Sequence, residues 1–349
     1  MGGNRSVDYF RGCLLGGAVG DALGWPVEFK SREAILSQYG PGGITDLVSG
    51  NGGKAEITDD TQMTLFTAEG LLRAETRGRL KGICHGPSVI YFAYQRWLHT
   101  QGYPKKDDLD WIYDGWLIEV KGLHEQRAPG NSCLSALSES RRGTVSEPIN
   151  NSKGCGGVMR VAPIGLYLKK EQAFELAVNC AALTHGHPSG YLSAGVLAYM
   201  IAAIIEGLDL ENAVKGSLVE LGKYEGHEEC SEIVKRAVKL TESTEPVEAI
   251  AELGEGWVGE EALAIAVYCS LKFKDNFKEA VTAAVNHDGD SDSTGAITGN
   301  ILGAYLGVDG ISKDWIEKVE LAEVIKQLAD DLLVRYRDES EWWERYPGY

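Results

Sequence analysis

The sequence predicts an all-α protein. Three observations carry that expectation: apolar residues recur at helical spacing in segment after segment, alternating β-branched runs are few, and no strand–helix–strand rhythm appears. We expect on the order of ten or more helices. A chain of 349 residues would by length alone suggest about two domains. No linker interrupts it, and 44% hydrophobic with 24% charged residues is an ordinary globular composition with ample core. We therefore read residues 1–349 as a single compact domain.

A net charge of −17 argues against a broad electrostatic footprint on nucleic acid or on an anionic membrane. It also sets a problem: an anionic ligand would have to be held by metals, helix N-termini and glycine backbone, because no cationic surface is on offer. Seven cysteines, odd in number and without a CxxC pair, suggest reduced thiols in a cytoplasmic setting. The longest apolar run, around 196–205, is too short for a membrane span and reads as a buried helix; no signal peptide is expected. Met1 to Ser6 formally fits an N-myristoylation pattern, which we read as coincidence because no basic patch supplies a second signal.

Asp8 to Gly24 is the first expected helix, with Phe10, Cys13, Leu14, Gly17 and Asp21 on one face and Gly16, Gly20 and Gly24 beside them. Glycine within a helix costs about 1 kcal/mol relative to alanine, so this many imply close helix-to-helix approach. Asp21 reads as a buried structural acid. Pro26-Val27-Glu28-Phe29 leaves the pattern, and by itself Glu28 is a solvated loop acid. Residues 39–54 are glycine-rich without a Walker or dinucleotide pattern, and read as a flexible lid or connector. Ile57 to Ala74 has Met63, Phe66, Thr67, Gly70, Leu71 and Ala74 on one helical face, and it opens on Thr58-Asp59-Asp60-Thr61.

Gly82 to Gln101 is a helix whose Tyr91, Tyr94 and Trp97 stripe belongs to the core; residues 103–123 look like a surface excursion. Arg127-Ala128-Pro129-Gly130-Asn131-Ser132-Cys133 precedes a helix through Leu134 and Leu137, with Asn131 a candidate N-cap. Asn151 to Arg160 sets Gly154, Gly156 and Gly157 just before an apolar stretch. Such glycines let backbone N–H groups approach a phosphate or ribose, although a tight turn between helices is the plainer alternative. Thr184-His185-Gly186-His187 precedes a long apolar helix from Tyr191. No further Cys or His completes a zinc site there, and His187 reads as a turn residue. Residues 208–255 form acidic surface helices, Glu260 to Leu271 is core-like, and Phe277 to Val285 leads into His287-Asp288-Gly289-Asp290-Ser291-Asp292-Ser293-Thr294-Gly295. The aromatic tail Trp342 to Tyr349 is expected to pack back on the body.

The 58–61 and 287–295 runs both stand at helix starts. Either alone reads as ordinary capping, the first as a doubled N-cap. Two such clusters fit one site better than two coincidences. If Asp59, Asp60, Asp290 and Asp292 converge, their mutual repulsion in a poorly solvated cleft calls for cations, and hard oxygen ligands suit Mg²⁺. A pair of metals is the natural expectation.

With Pro129-Gly130-Asn131-Ser132, the Gly154–Arg160 run and His185 falling between them in order, these motifs resemble those of the ADP-ribosylglycohydrolase family, over nearly the whole chain. The resemblance implies that family's all-α fold, with a dinuclear site of two Mg²⁺ or Mn²⁺ held by Thr58, Asp59, Asp60, Asp290, Asp292 and Ser293 at helix N-termini. It implies cleavage of the N-glycosidic bond joining ADP-ribose to a modified side chain, with Asp60 as combined ligand and base and Glu28 on a mobile loop near the scissile bond. Asn131 would lie by the active site, the segment containing Gly154, Cys155, Gly156, Gly157 and Met159 would bind distal ADP-ribose, and His185 would sit in the ligand pocket. The form of the second motif is closest to the arginine-specific branch, so the expected partner is a protein carrying ADP-ribosyl-arginine. Serine-linked or O-acetyl ADP-ribose are the other linkages in view. A two-metal phosphoesterase would use the same acids on a diphosphate, and an immunity-type protein would bind and block an ADP-ribosylating transferase or toxin. The intact acid set favours an enzyme, since a blocker has no need of so costly a charge cluster.

Overall fold

Helical periodicity becomes helix almost wherever the sequence repeats it. The computed structural model describes residues 3–50, 52–242 and 245–349, and among them are seventeen α-helices, short 3₁₀ turns and only three isolated β-bridges. The first half carries α1 (Val7–Gly24), α2 (Arg32–Tyr39), α3 (Asp59–Lys81), α4 (Gly86–Thr100), α5 (Asn131–Ser138), α6 (Ala162–Tyr167) and α7 (Lys170–Ala181). Then come α8 (Pro188–Ile205), α9 (Leu210–Leu221), α10 (Glu228–Leu240), α11 (Pro246–Leu253), α12 (Gly259–Lys272), α13 (Phe277–Val285) and α14 (Ser291–Leu306). The chain closes with α15 (Lys313–Lys318), α16 (Ala322–Val334) and α17 (Ser340–Arg345). One contiguous hydrophobic cluster runs through nearly all of them.

The seam between α1 and α14 organises the site. A Cβ placed on Gly12, Gly16, Gly20 or Gly24 would strike the backbone carbonyl of Gly303, Gly299, Gly295 or Ser291 respectively. The partner numbers fall as the α1 numbers rise, so the helices run antiparallel with backbones in contact, as the spaced glycines lead one to expect. Register follows directly: the C-terminal end of α1 abuts the N-terminal end of α14. Asn300 inserts against Gly17 and donates to the Cys13 carbonyl at 2.9 Å, adding a polar pin to the seam.

Several expectations change in detail. Residues 103–123 are not merely a surface excursion, because Ile112, Leu117 and Leu123 are buried and the segment folds into 3₁₀ turns. The 39–54 stretch is a connector pinned to the body: Ile44 and Leu47 are buried, and Asp46 accepts a hydrogen bond from the Trp315 indole at 2.6 Å. The apolar run around 196–205 belongs to α8, which is long and apolar enough by composition to cross a membrane, yet 89% of it is buried within the protein. Trp342 and Tyr346 are buried, so the tail does pack back. All seven cysteines are free. Of the Met1–Ser6 pattern, the first two residues lie outside the described residues.

Candidate active site

Thr58 caps α3, its hydroxyl oxygen accepting from the Asp60 N–H at 3.3 Å. That overturns the doubled N-cap: Asp59 and Asp60 occupy the first helical turn, where the unpaired N–H groups and the dipole favour negative charge. Asp21, in the last turns of α1, holds this corner. Its carboxylate accepts from the Thr58 N–H at 3.0 Å, the Thr58 hydroxyl at 2.8 Å, the Thr61 N–H at 3.2 Å and the Thr61 hydroxyl. Burial, with the Asp292 charge next, pushes Asp21 up to about 7. Asp59 accepts from the Gly130 N–H at 3.1 Å, tying the Pro-Gly-Asn segment to the acids. Asp60 Oδ2 is sealed from solvent and has no hydrogen-bond partner.

Asp290 caps α14, with one oxygen accepting from the Ser293 N–H at 3.3 Å and the other from the Cys155 thiol at 2.7 Å. Asp292 accepts from the same Ser293 N–H at 3.0 Å. Because the α1–α14 seam delivers the end of α1 to this spot, the loop after it brings Glu28 in as well. Glu28, Asp290 and Asp292 each present an oxygen within 4.8 Å of the others. Glu28 Oε2 is another sealed oxygen without a partner. Burial, then Asp292 and Asp290, drive Glu28 up to about 11, while burial and Asp292 raise Asp60 well above the usual carboxylate range. Asp59 and Asp292 are raised likewise, first by burial.

The two remote runs therefore share one electrostatic neighbourhood, linked by Asp21. The tight group, however, is Glu28 with Asp290 and Asp292; Asp59 and Asp60 stand outside it. Glu28 is thus no solvated loop acid. Crowded carboxylates with unpartnered oxygens and no basic side chain among them are a hard-oxygen donor set of the kind that suits divalent cations. Thr58 has its hydroxyl engaged by Asp21 and Asp60, and Ser293 is buried with its hydroxyl 4.0 Å from Met159 Sδ.

On the other flank, the turn Gly154–Gly157 is fastened by the Cys155 N–H to the Trp257 carbonyl at 3.2 Å. Its glycines pack on His185: a Cβ on Gly154 would lie 3.4 Å from Nε2, and one on Gly156 3.1 Å from Cε1. Tight packing accounts for these glycines as directly as ligand approach does. His185 is buried, Met159 is buried between this turn and Ser293, and His187 caps α8. Asn131 is not a cap. It is the exposed first residue of α5, with Gly130 in the cap position. The Ser132 and Ser152 hydroxyls meet at 2.7 Å and join the α5 corner to the glycine turn.

A cleft of about 1020 Å³ is lined by Arg32, Ile250, Trp257, Phe273 and His287, not by Glu28, Asp60 or Asp292. Phe29, with φ at 62°, stacks at 5.3 Å on Trp257, which lines this cleft. Missing from the sequence reading were Arg160 and Thr184, packed next to His185. A charge inside the apolar run Val158-Met159-Arg160-Val161 was the one available signal.

The sequence model of ADP-ribosylglycohydrolases matches residues 3–341. The chain belongs to the ADP-ribosylglycohydrolase family. It is 27% identical to the ADP-ribosyl-[dinitrogen reductase] glycohydrolase of Rhodospirillum rubrum, over 95% of this chain and 98% of that protein. It is 26% identical to the ADP-ribosylarginine hydrolase Tri1 of Serratia proteamaculans, over 97% and 82%. A solved structure described as an ADP-ribosylglycohydrolase-related protein complex superposes with a TM-score of 0.67 at 25% identity, covering 95% of this chain and 99% of its own. The family's fold and the acid-lined site described above accordingly go together in this member.

Proposed function

We propose that the protein hydrolyses the N-glycosidic bond of ADP-ribosyl-arginine on modified proteins, releasing ADP-ribose, with two Mg²⁺ or Mn²⁺ ions. The observation that carries this reading is the group of buried carboxylates with unpartnered oxygens at Glu28 and Asp60. The arginine linkage draws support from the relatives' names. Asp59, Asp60, Asp290 and Asp292, with Thr58 and Ser293, would hold the ions. When bound, these supply Lewis-acid polarisation of the ribose hydroxyls and of water.

The chain's own residues do the rest. Asp60, with a free oxygen, accepts the proton of the attacking water as the C–N bond breaks, and that proton is passed on to the departing guanidine nitrogen. Nearby carboxylates stabilise the positive charge that develops on the ribose. Glu28 positions the substrate or relays a proton. Backbone of the Gly154–Gly157 turn, with Cys155, Met159, His185 and Asn131 around it, holds the distal ADP-ribose. A cytoplasmic site of action fits the free thiols, and an ADP-ribosyltransferase whose product it reverses is the natural functional counterpart.

Incubating the protein with arginine-ADP-ribosylated substrate, with and without EDTA, and identifying the nucleotide released tests this. Intact ADP-ribose, released only with metal, is the expected result. Cleavage at the diphosphate would make it a phosphoesterase, and release from serine-linked or O-acetyl ADP-ribose alone would move the linkage. Stoichiometric protection against a transferase that survives Asp60→Ala would make it a blocking protein.

A further inference from the structure

Arg160 is a fully buried cation with neutral partners only. Its Nη2 donates to the Thr184 hydroxyl at 2.7 Å and the Cys180 carbonyl at 3.2 Å, its Nη1 to the sulfurs of Cys133 and Met63, and its guanidinium lies 4.2 Å over the Tyr94 ring. No carboxylate pairs with it among the described residues. An arrangement this costly asks what the charge is for.

The answer lies one step away, at Thr184 and His185. The Thr184 hydroxyl lies 2.8 Å from His185 Nδ1 and 3.4 Å from the Ala181 carbonyl. A guanidinium can only donate, so the contact with Arg160 uses a lone pair of the hydroxyl and leaves its single proton to be placed. The Ala181 carbonyl already accepts the N–H groups of Thr184 and His185, at 3.1 and 2.9 Å. Of the groups around the hydroxyl, Nδ1 is the nearest acceptor, the Ala181 carbonyl is 3.4 Å away and already shared, and the Cys133 sulfur is a weak acceptor, so the geometry favours the proton on the Nδ1 side, with the ring's own proton on Nε2. Nε2 has no hydrogen-bond partner among the described residues and faces Gly154 and Gly156. Burial, then the Arg160 charge, lowers His185 to about 3.

We infer that Arg160, acting through the Thr184 hydroxyl, locks His185 as the neutral Nε2–H tautomer, a permanent hydrogen-bond donor to an acceptor oxygen of ADP-ribose at the glycine turn. The identity of the acceptor rests on the proposed function; the tautomer does not. A fixed neutral donor is what an acidic protein needs there, because Lys153, at the start of the same turn, is engaged by Glu229 at 2.6 Å and Glu260 at 2.5 Å. Arg160 and Thr184 are positioning residues.

The test is a long-range ¹H–¹⁵N correlation spectrum of the full chain labelled in histidine, with His185→Gln for assignment, read beside calorimetric titration with ADP-ribose. Nδ1 should appear unprotonated and Nε2 protonated, unchanged from pH 5 to 8, and ADP-ribose should move the Nε2 signal. Thr184→Val should mix the tautomers and weaken ADP-ribose roughly three- to tenfold, the size of one lost hydrogen bond, while Thr184→Ser should restore both. A wild-type ring protonated on Nδ1, or one that titrates in this range, would overturn the inference with no variant needed. So would a Thr184→Val protein of unchanged tautomer and affinity. Failure of the wild-type protein to bind ADP-ribose would instead sink the proposed function and the acceptor with it, and the ligand-free spectrum would still decide the tautomer.

Discussion

Two buried acids on one helix have opposite fates. Glu69, in the middle of α3, accepts from Arg73 at 3.1 Å and from Arg96 at 2.7 Å, and all three side chains are sealed from water. Arg73 is shared in turn with Asp114 at 2.8 Å and with the Tyr349 hydroxyl. Asp60, at the start of the same helix, has an oxygen with no partner, and the charges around it are those of Asp292, Asp59, Asp21 and Asp290. This fold can neutralise a buried carboxylate with fixed arginines when the role is structural. Where it supplies further carboxylates instead, burial and mutual repulsion hold the acids above the usual carboxylate range, and the strain is localised where chemistry is expected.

The contrast is sharpest in the response to neutralising each acid. Asp60→Asn should lower the rate of ADP-ribose release roughly 10³-fold, the scale of a lost general base, without lowering the melting temperature, because an uncompensated charge is removed. A variant that melts earlier and keeps its activity would erase the distinction. Glu69→Ala should act the other way and lower the free energy of unfolding by about 3–5 kcal/mol, since it strands the buried Arg96 guanidinium and leaves Arg73 to Asp114 and the Tyr349 hydroxyl. Urea unfolding measures it, and a neutral result would mean that the pairing has no structural role.

Gly20→Ala should cost about 1–3 kcal/mol or prevent folding, because the new methyl meets the Gly295 carbonyl and separates the two helix ends that build the site. The pH response gives a subtler test. Asp21 titrates near 7 in the fold but near 3.9 when unfolded, so between those values the folded chain binds more protons and stability falls as pH rises. That contribution is complete below about 4 and gone above about 7. In EDTA the protein should therefore melt lower at pH 8 than at pH 5, and Mg²⁺ or Mn²⁺ should recover the difference. A melting temperature that climbs over this range, or ignores the cation, would contradict the picture of uncompensated acids. The smallest effect belongs to Asn131→Ala, exposed and outside the cap, which should change stability by no more than about 0.5 kcal/mol. A raised KM with unchanged stability would show contact with substrate.

By itself the sequence determined what local chemistry dictates. Spaced glycines in α1 announced a close helix contact, and the hydroxyl and acid runs marked two helix starts, because each depends on neighbours within a few positions. Only the tertiary structure decided which acids meet. The antiparallel seam carries Glu28 to Asp290 and Asp292 and leaves Asp59 and Asp60 outside that group, and Thr58 takes the cap that Asp59 seemed suited to. The proton on His185 was equally illegible, since it depends on Arg160 and on a carbonyl already occupied. Such outcomes turn on the few ångströms between groups far apart in the chain, a distance that the packing of helix on helix sets and that no local pattern encodes.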